Sequence, residues 1–219
     1  MKHLALIAVL GCMPVLASDL DSEAWFDQAE AEEARLRQIN AGALEFHASP
    51  PATRIHHLHN RLDINRDSLE SGYVELRQCH ENLDPIRRAE VNYRHRSMKD
   101  LRLESWEGME QAWVEGDSVQ MVNVGEGARL CVRAGVALLQ PGDHDDYVLR
   151  SGPFHRRFLD GYFPMKVHLE IRYPASLLRF ARMDPPPQPG LALVENARGL
   201  SVEALFSGIL AMELGFQRP

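Results

Sequence analysis

The stretch Gly152–Pro174, GPFHRRFLDGYFPMKVHLEIRYP, contains the pattern that decides the fold. Between residues 163 and 173, apolar and polar residues alternate, interrupted only by Pro164 at the start. Successive side chains on a strand point to opposite faces, so the pattern predicts a β-strand with one apolar and one charged face. Antiparallel sheets typically have such strands, because one face packs on a core and the other meets water.

Short alternating segments of the same kind recur across residues 44–219, and Gly- or Pro-containing turns separate them. This pattern predicts a mostly β protein, an antiparallel β-sandwich built as one large domain or two small ones. The segment Pro141–Tyr147, which contains an acidic turn at residues 143–146, is the best candidate boundary. It divides a β-rich segment, 44–142, from residues 143–219, which form either a C-terminal domain or the second half of the same sandwich.

The first 17 residues, MKHLALIAVLGCMPVLA, combine a positive start, an apolar centre and small residues before Ser18. This order predicts a cleaved secretory signal peptide and therefore a soluble protein of the bacterial periplasm, without a transmembrane segment after cleavage. A lipoprotein anchored through Cys12 is the alternative. In the following segment, 18–43, acidic residues come early and arginines late, which predicts an N-terminal α-helix over Asp21–Asn40.

Charge and cysteine content narrow the class of protein. The net charge of −7 becomes −8 when Lys2 leaves with the signal peptide, which argues against nucleic acid as a partner. Only Cys79 and Cys131 remain, and in an oxidising compartment two cysteines predict one disulfide. Closing so long a loop would stabilise the fold by about 4 kcal/mol. A reactive thiol or a metal ligand is the alternative.

A histidine cluster, His56, His57 and His59, is the sharpest chemical signal in the sequence. On a strand, His57 and His59 share a face, and imidazole is a ligand suited to copper and zinc. These three residues are therefore the candidate copper or zinc site. Solvated or structural histidines are the alternative, because no complete metal motif such as HExxH is present.

A second candidate site lies just before the alternating strand, where aromatic residues flank two arginines. Arginine offers a planar fork of donors, and aromatic and arginine side chains are the usual anchors of binding surfaces. We predict a ligand- or partner-binding site there, formed by Phe154, Arg156, Arg157 and Phe158. In the alternative, the arginines pair with neighbouring carboxylates on a solvated loop.

Motifs for catalysis are missing from the sequence: it contains no GxSxG elbow, phosphate-binding glycine loop or dinucleotide fingerprint. We assign no catalytic residue and predict a protein that binds another envelope protein or a small ligand without catalysis. Two alternatives stay open. One is a metal-binding or metal-delivery protein, and the other is a hydrolase of an envelope polymer with its acids between Glu75 and Asp84.

Overall fold

A computed structural model describes Glu32 and residues 41–93, 97–142, 146–158 and 161–219. The predicted signal peptide with Cys12 lies outside the described residues. So do the predicted N-terminal helix, apart from Glu32, and residues 143–145 of the acidic turn. The described residues from 41 to 219 belong to one structural unit, whose fold follows.

The described residues are mostly β-strand, which confirms the predicted fold class. From residue 41 onward they form one short helix, α1 (Arg66–Ser71), and these strands: β1 (Glu45–Phe46), β2 (His56–Asp63), β3 (Tyr73–Leu83), β4 (Ile86–Asn92), β5 (Met98–Glu107), β6 (Gln111–Glu115), β7 (Ser118–Val124), β8 (Ala128–Ala137), β9 (Leu139–Pro141), β10 (Tyr147–Phe154), β11 (Arg156–Phe158), β12 (Gly161–Phe163), β13 (Met165–Arg172), β14 (Arg179–Asp184), β15 (Leu191–Asn196), β16 (Gly199–Ser207) and β17 (Leu210–Gln217).

One large sheet organises the unit. Its strands follow the order β1-β16-β13-β2-β3-β8-β5, and β15 also pairs with β16. A four-stranded sheet, β14-β17-β10-β9, a three-stranded sheet, β4-β7-β6, and the hairpin β11-β12 complete the fold. Every pair is antiparallel except β2 and β13, which run parallel. The large sheet takes strands from both segments, 44–142 and 143–219.

The predicted alternating strand is β13, near the middle of the large sheet. Its inward side chains, Met165, Val167, Leu169 and Ile171, are at most 2% exposed, whereas the residues between them are partly exposed. Burial of each such apolar side chain contributes roughly 1.5–3 kcal/mol, which explains why the strand adopts this register.

Two hydrophobic clusters cover the inner face of the large sheet. In the first, Leu169 and Val202 pack with Leu149 and Phe216 of the four-stranded sheet. In the second, which contains Val119, Met121, Leu130 and Val132, strand β7 of the three-stranded sheet packs on β8. The two smaller sheets therefore lie over different parts of one face of the large sheet.

The predicted disulfide is confirmed: Cys79 and Cys131 are bonded, with a sequence separation of 52. They are directly opposite each other on β3 and β8, and both are buried. The bond ties neighbouring strands on the outer side of the large sheet, because Gln78 and His80 on either side of Cys79 point to the inner side.

The short helix α1 was not predicted from the sequence. The Asn65 side chain accepts a hydrogen bond from the Ser68 backbone N–H, and the Ser68 hydroxyl accepts one from the Asn65 backbone. Gly72 ends the helix at φ +75°, a conformation that glycine adopts without strain. None of the described helical residues belongs to a helix long and apolar enough to cross a membrane.

Candidate functional site

Strand β2 divides the predicted histidine cluster between two faces of the large sheet. His56, Leu58 and Asn60 point inward, towards the covering sheets, and His57 and His59 point outward. The structure therefore brings His57 and His59 together and places His56 in different surroundings. Each face carries a candidate site.

The inner site is a cleft of about 500 Å³, which we call the His56 cleft. It is bounded by the large sheet, by β4 and β7 of the three-stranded sheet, and by the turn between β10 and β11. Apolar side chains form much of its lining, among them Leu58, Leu83, Ile86, Ala89, Val91, Met121, Val124, Phe154, Phe158 and Met165.

Gln78 is the hub of a chain of hydrogen bonds beneath the cleft. Its amide Nε2 donates to Oδ1 of Asn60 at 2.8 Å, so its Oε1 is the acceptor end. That oxygen accepts from the hydroxyl of Tyr93 at 2.7 Å and from Nε2 of His80 at 3.1 Å. Asn60, Gln78, His80 and Tyr93 are all at most 7% exposed, so this network satisfies polar groups that would otherwise be costly to bury.

The network also fixes the tautomers of two histidines. Because His80 donates from Nε2, its Nδ1 carries the lone pair and accepts from Nε2 of His56, 3.1 Å away. Nδ1 of His56 is then an acceptor, and it takes part in no hydrogen bond within the described part of the chain. His56 therefore offers one acceptor to the cleft.

Both histidines are neutral at neutral pH. Burial, and then the charge of Arg156, lower the pKa of His56 to about 4, against the opposing effect of Asp84. Burial, and then the proximity of His56, lower the pKa of His80 well below its ordinary value. Removing an imidazolium from water is costly, so the unprotonated ring is favoured in both.

Arg156, one of the predicted binding residues, forms a two-point ion pair with Asp84. Its Nε lies 3.1 Å from Oδ2 and its Nη2 lies 2.6 Å from Oδ1, while Nη1 donates to the Pro164 carbonyl. Arg156 is thus paired with a carboxylate 72 residues away in sequence. The pair joins β11 to the turn after β3 and cancels two charges at the cleft.

The other predicted binding residues also lie at the cleft. Phe154 is 4% exposed, whereas Phe158 is 39% exposed and contacts Phe163 edge to face. The guanidinium of Arg157 lies over the ring of Tyr162, 5.4 Å from its centroid. The structure therefore groups all four predicted residues at one end of a cleft that the sequence did not predict.

Two local irregularities position this end of the cleft. Asn82 has a φ of +57° at the bulge where the pairing of β3 with β8 shifts, just before Asp84. Gly152 has a φ of +107°, and a Cβ there would lie 2.5 Å from the Leu210 carbonyl oxygen, so only glycine fits. Gly152 lies in the register shift of β10 that precedes Phe154.

The outer site consists of His57, His59 and Glu81, each offering one ligand atom within 4.8 Å of the others. Nε2 of His59 lies 3.3 Å from Oε2 of Glu81, and the two imidazole centroids are 3.7 Å apart. Two imidazoles and a carboxylate are suitable ligands for a metal ion, so this group could hold one. Glu81 also pairs with Arg129 through its other oxygen, at 3.3 Å.

His57 is the most unusual member of the outer site. Its Nε2 is buried and has no hydrogen-bond partner in the described structure. Burial, and then the neighbouring His59, lower its pKa to about 4, so the imidazole is neutral at neutral pH. Burial also lowers the pKa of His59. Neutral imidazole is the form that binds metals.

Strand β13 adds a third outward histidine beside these two. Its residues Lys166 and His168 lie directly opposite His57 and His59 in the parallel pairing. Nδ1 of His168 is 3.3 Å from one carboxylate oxygen of Glu203, and the Lys166 ammonium is 3.3 Å from the other. The His168 and His59 rings stack with centroids 5.7 Å apart.

The acids considered for hydrolysis are each paired with a different arginine. Glu75 lies 3.1 Å from Arg133, and Asp84 binds Arg156. Glu81 is shared between Arg129 and His59 on the outer face.

Sequence reasoning missed Gln78, His80 and Tyr93 as cleft residues and Glu81 as a companion of the histidines. The alternation of apolar and polar residues over 73–83 could have indicated Gln78 and His80, because it places both on the inner face. It also puts Glu81 outward. The strand order, which the sequence does not contain, decides that β3 lies beside β2.

The chain matches no protein-family model and no curated protein. It resembles weakly a crystal structure of a mutant M1 zinc metallopeptidase from Deinococcus radiodurans bound to a Tyr-Ser-Ala substrate, with 13% identity over 80% of this chain and a TM-score of 0.36. A two-domain M1 zinc metallopeptidase mutant bound to L-tryptophan gives 15% identity over 78% of this chain and the same TM-score. This chain covers 42% of the length of the first of these structures and 45% of the second. Such low identities and TM-scores assign neither an activity nor zinc to this chain.

Proposed function

We propose that the protein binds an uncharged, largely apolar small molecule in the His56 cleft and does not catalyse a reaction. The observation that carries this proposal is a cleft of about 500 Å³ whose apolar lining meets a few fixed polar groups. Ligand sites in proteins are typically concave, apolar and about 300–1,000 Å³ in volume, with a small number of polar groups that orient the ligand.

The preference for an uncharged ligand follows from the charges at the cleft. Arg156 is paired with Asp84, and the low pKa of His56 and of His80 keeps both rings neutral. A carboxylate or ammonium buried beside these groups would lose water and find no unpaired opposite charge among them, because the other charged lining residues, Glu90 and Arg157, are exposed at the surface. Apolar surface, in contrast, gains about 25 cal/mol for each Å² removed from water.

The polar end of the ligand is expected to carry a hydrogen-bond donor. Nδ1 of His56 is fixed as an acceptor by the bonds from His56 to His80 and from His80 to Gln78. A hydroxyl or N–H group on the ligand would complete this chain, and a ligand lacking one would leave the acceptor unpaired.

A matched pair of dyes tests the proposal. N-phenyl-1-naphthylamine is uncharged, aromatic and carries one N–H group, and 8-anilinonaphthalene-1-sulfonate adds one negative charge to the same skeleton. We expect saturable fluorescence enhancement with the uncharged dye and affinity at least about tenfold weaker for the sulfonate, since one uncompensated buried charge costs about 1.4 kcal/mol or more. Equal or tighter binding of the sulfonate would show that the cleft selects anions.

Two tryptophan variants locate the dye. Ala89→Trp places a large ring in the cleft and should abolish binding, because Ala89 is part of the lining. Arg88→Trp is the matched control, since Arg88 is exposed on the same strand, one residue away, and is not part of the lining. If Ala89→Trp folds, as judged by circular dichroism, and binds like the control, the dye site lies elsewhere and the cleft assignment fails.

We propose the periplasm as the location, on the basis of residues 1–17 of the sequence. Cleavage after Ala17 would leave Ser18 as the first residue of protein purified from the periplasmic fraction. Mass spectrometry of the intact chain checks this directly. Retention of residues 1–17, or a lipid on Cys12, would contradict it.

A second candidate function, binding of copper or zinc, is favoured by the grouping of His57, His59 and Glu81 within 4.8 Å. Two ligands each about 2.0–2.1 Å from a tetrahedral zinc ion lie about 3.3–3.4 Å apart. The separation between Nε2 of His59 and Oε2 of Glu81 is 3.3 Å.

Calorimetric titration of the untagged protein with zinc or copper tests this second function. His57→Ala with His59→Ala should abolish uptake at the site. His47→Ala is the matched control. His47, which directly follows β1, forms a hydrogen bond with the Ser207 hydroxyl and does not belong to the group of His57, His59 and Glu81. Stoichiometric binding that survives loss of both His57 and His59 would place the metal elsewhere.

A further inference from the structure

We infer that His168 is the fourth ligand of the metal site formed by His57, His59 and Glu81, and that Glu203 positions its imidazole. This inference rests on the second candidate function proposed above. It extends the site from two strands to three, because His168 lies on β13, the parallel neighbour of β2. The ion would then be held by three imidazoles and one carboxylate.

The strand register is the first argument. His168 is the direct partner of His59 in the parallel pairing, and adjacent strands in a sheet are about 4.8 Å apart. The two imidazoles already stack with their centroids 5.7 Å apart. His168 therefore lies immediately beside the group of three in the side-chain position in which Glu203 holds it.

The tautomer of His168 is the second argument. Nδ1 lies 3.3 Å from the Glu203 carboxylate, which can only accept, so Nδ1 carries the proton and Nε2 carries the lone pair. A carboxylate that holds the far nitrogen of a metal-binding histidine is a recurring arrangement, because it fixes the ring and increases its basicity. Glu203 is on β16, which pairs with β13 on the side away from β2.

The remaining charges near the site do not oppose a cation strongly. Lys166 and Arg129 are the nearby cations, and each lies 3.3 Å from a carboxylate, Glu203 and Glu81 respectively. These carboxylates offset part of both charges, and the charge of Lys166 still contributes to the lowered pKa of His57. The neighbouring Cys79 is bonded to Cys131 and is not available as a thiolate ligand.

The test is electron paramagnetic resonance of the untagged protein loaded with one equivalent of Cu²⁺, with zinc affinity measured in parallel. The hyperfine pattern should report three imidazole nitrogens in the unsubstituted protein and two in His168→Ala. Zinc affinity of His168→Ala should fall by at least about 10- to 100-fold, the range that loss of a supporting outer residue produces.

Glu203→Gln separates positioning from ligation. It should keep three nitrogens while weakening zinc binding about tenfold, because the ring keeps a hydrogen-bond partner but loses a carboxylate. Glu170→Gln is the matched control: it removes the same charge from the outer face of β13, where Glu170 pairs with Arg172. Its affinity should equal that of the unsubstituted protein.

The outcomes distinguish a failure of the His168 assignment from a failure of the metal site itself. Two nitrogens both in the unsubstituted protein and in His168→Ala, with binding lost only in His57→Ala and His59→Ala, would overturn the role of His168 and leave the second candidate function standing. A lower affinity of His168→Ala with an unchanged nitrogen count would also overturn it. Absence of site-specific binding in the unsubstituted protein would reject both.

Discussion

The two faces of strand β2 show how neighbouring residues of one type acquire different chemistry. His56 is the last member of a buried chain of hydrogen bonds, and its Nδ1 can accept a hydrogen bond from a ligand in the cleft. His57, the next residue, lies on the outer face, and its buried Nε2 has no hydrogen-bond partner in the described structure. The pKa of each is lowered to about 4, mainly by burial, yet the first fits a ligand cleft and the second a metal site. The residue type sets the possible chemistry, and the face of the sheet selects among the possibilities.

The largest contrast between the faces should appear in stability. Leu62 is 1% exposed on the inner face, and its neighbour Arg61 is partly exposed on the outer face, paired with Asp63. We expect Leu62→Ala to lower the free energy of unfolding by about 2–5 kcal/mol through lost burial and a residual cavity. Arg61→Ala should lower it by about 1 kcal/mol or less. Urea unfolding of both variants measures the difference, and equal losses would mean that the faces are assigned wrongly.

Lowering the pH should reduce the stability that the inner-face histidine His56 contributes more than the stability that the outer-face histidine His57 contributes. Folded His56 takes up its proton only near pH 4, while the unfolded residue does so near pH 6.5, so the unfolded state binds more protons between these values. The contribution of His56 to stability is therefore complete above about pH 6.5 and is lost as the pH falls towards 4. At about 1.4 kcal/mol for each pKa unit, it amounts to roughly 3 kcal/mol at most.

His56→Gln tests this pH dependence. Glutamine can still donate to His80 but does not titrate, so the variant should lose less stability between pH 7 and pH 4.5 than the unsubstituted protein. His57→Gln is the matched control and should flatten the pH profile less, because the His57 ring is less deeply buried than that of His56 and solvent screens its charge. An equal or larger effect of His57→Gln would contradict the contrast between the faces.

A smaller effect tests the hydrogen-bond chain itself. Tyr93→Phe removes the hydroxyl that donates to Gln78 but leaves the bond from His80 to the same oxygen. We expect a loss of about 0.5–1.5 kcal/mol in unfolding free energy and weaker binding of the uncharged dye, since the hub that orients His80 and His56 is loosened. Tyr73→Phe on the same strand as Gln78 is the control. A variant as stable as the unsubstituted protein would mean that the hydroxyl contributes nothing to the network.

Much of the fold could be predicted from the sequence because strand alternation is a local property. Residues 163–173 predict β13, and the same pattern predicts which residues of β3 and β17 face the core. The Cys79–Cys131 bond was predictable because only two cysteines remain outside the first 17 residues. The capping residues of α1, Asn65, Ser68 and Gly72, are also close in the sequence, but a helix of six residues is too short to show a helical period.

The candidate sites depended on pairings that no local pattern contains. The sequence by itself determined that His57 and His59 share a face and that Arg156 lies between aromatic residues, because both facts follow from spacing along one strand or turn. Only the tertiary structure decided that Glu81 and His168 lie beside those histidines and that Arg156 pairs with Asp84. The physical reason is that strand order is set by the burial of apolar faces from the whole chain, which brings residues 72 and more positions apart into contact.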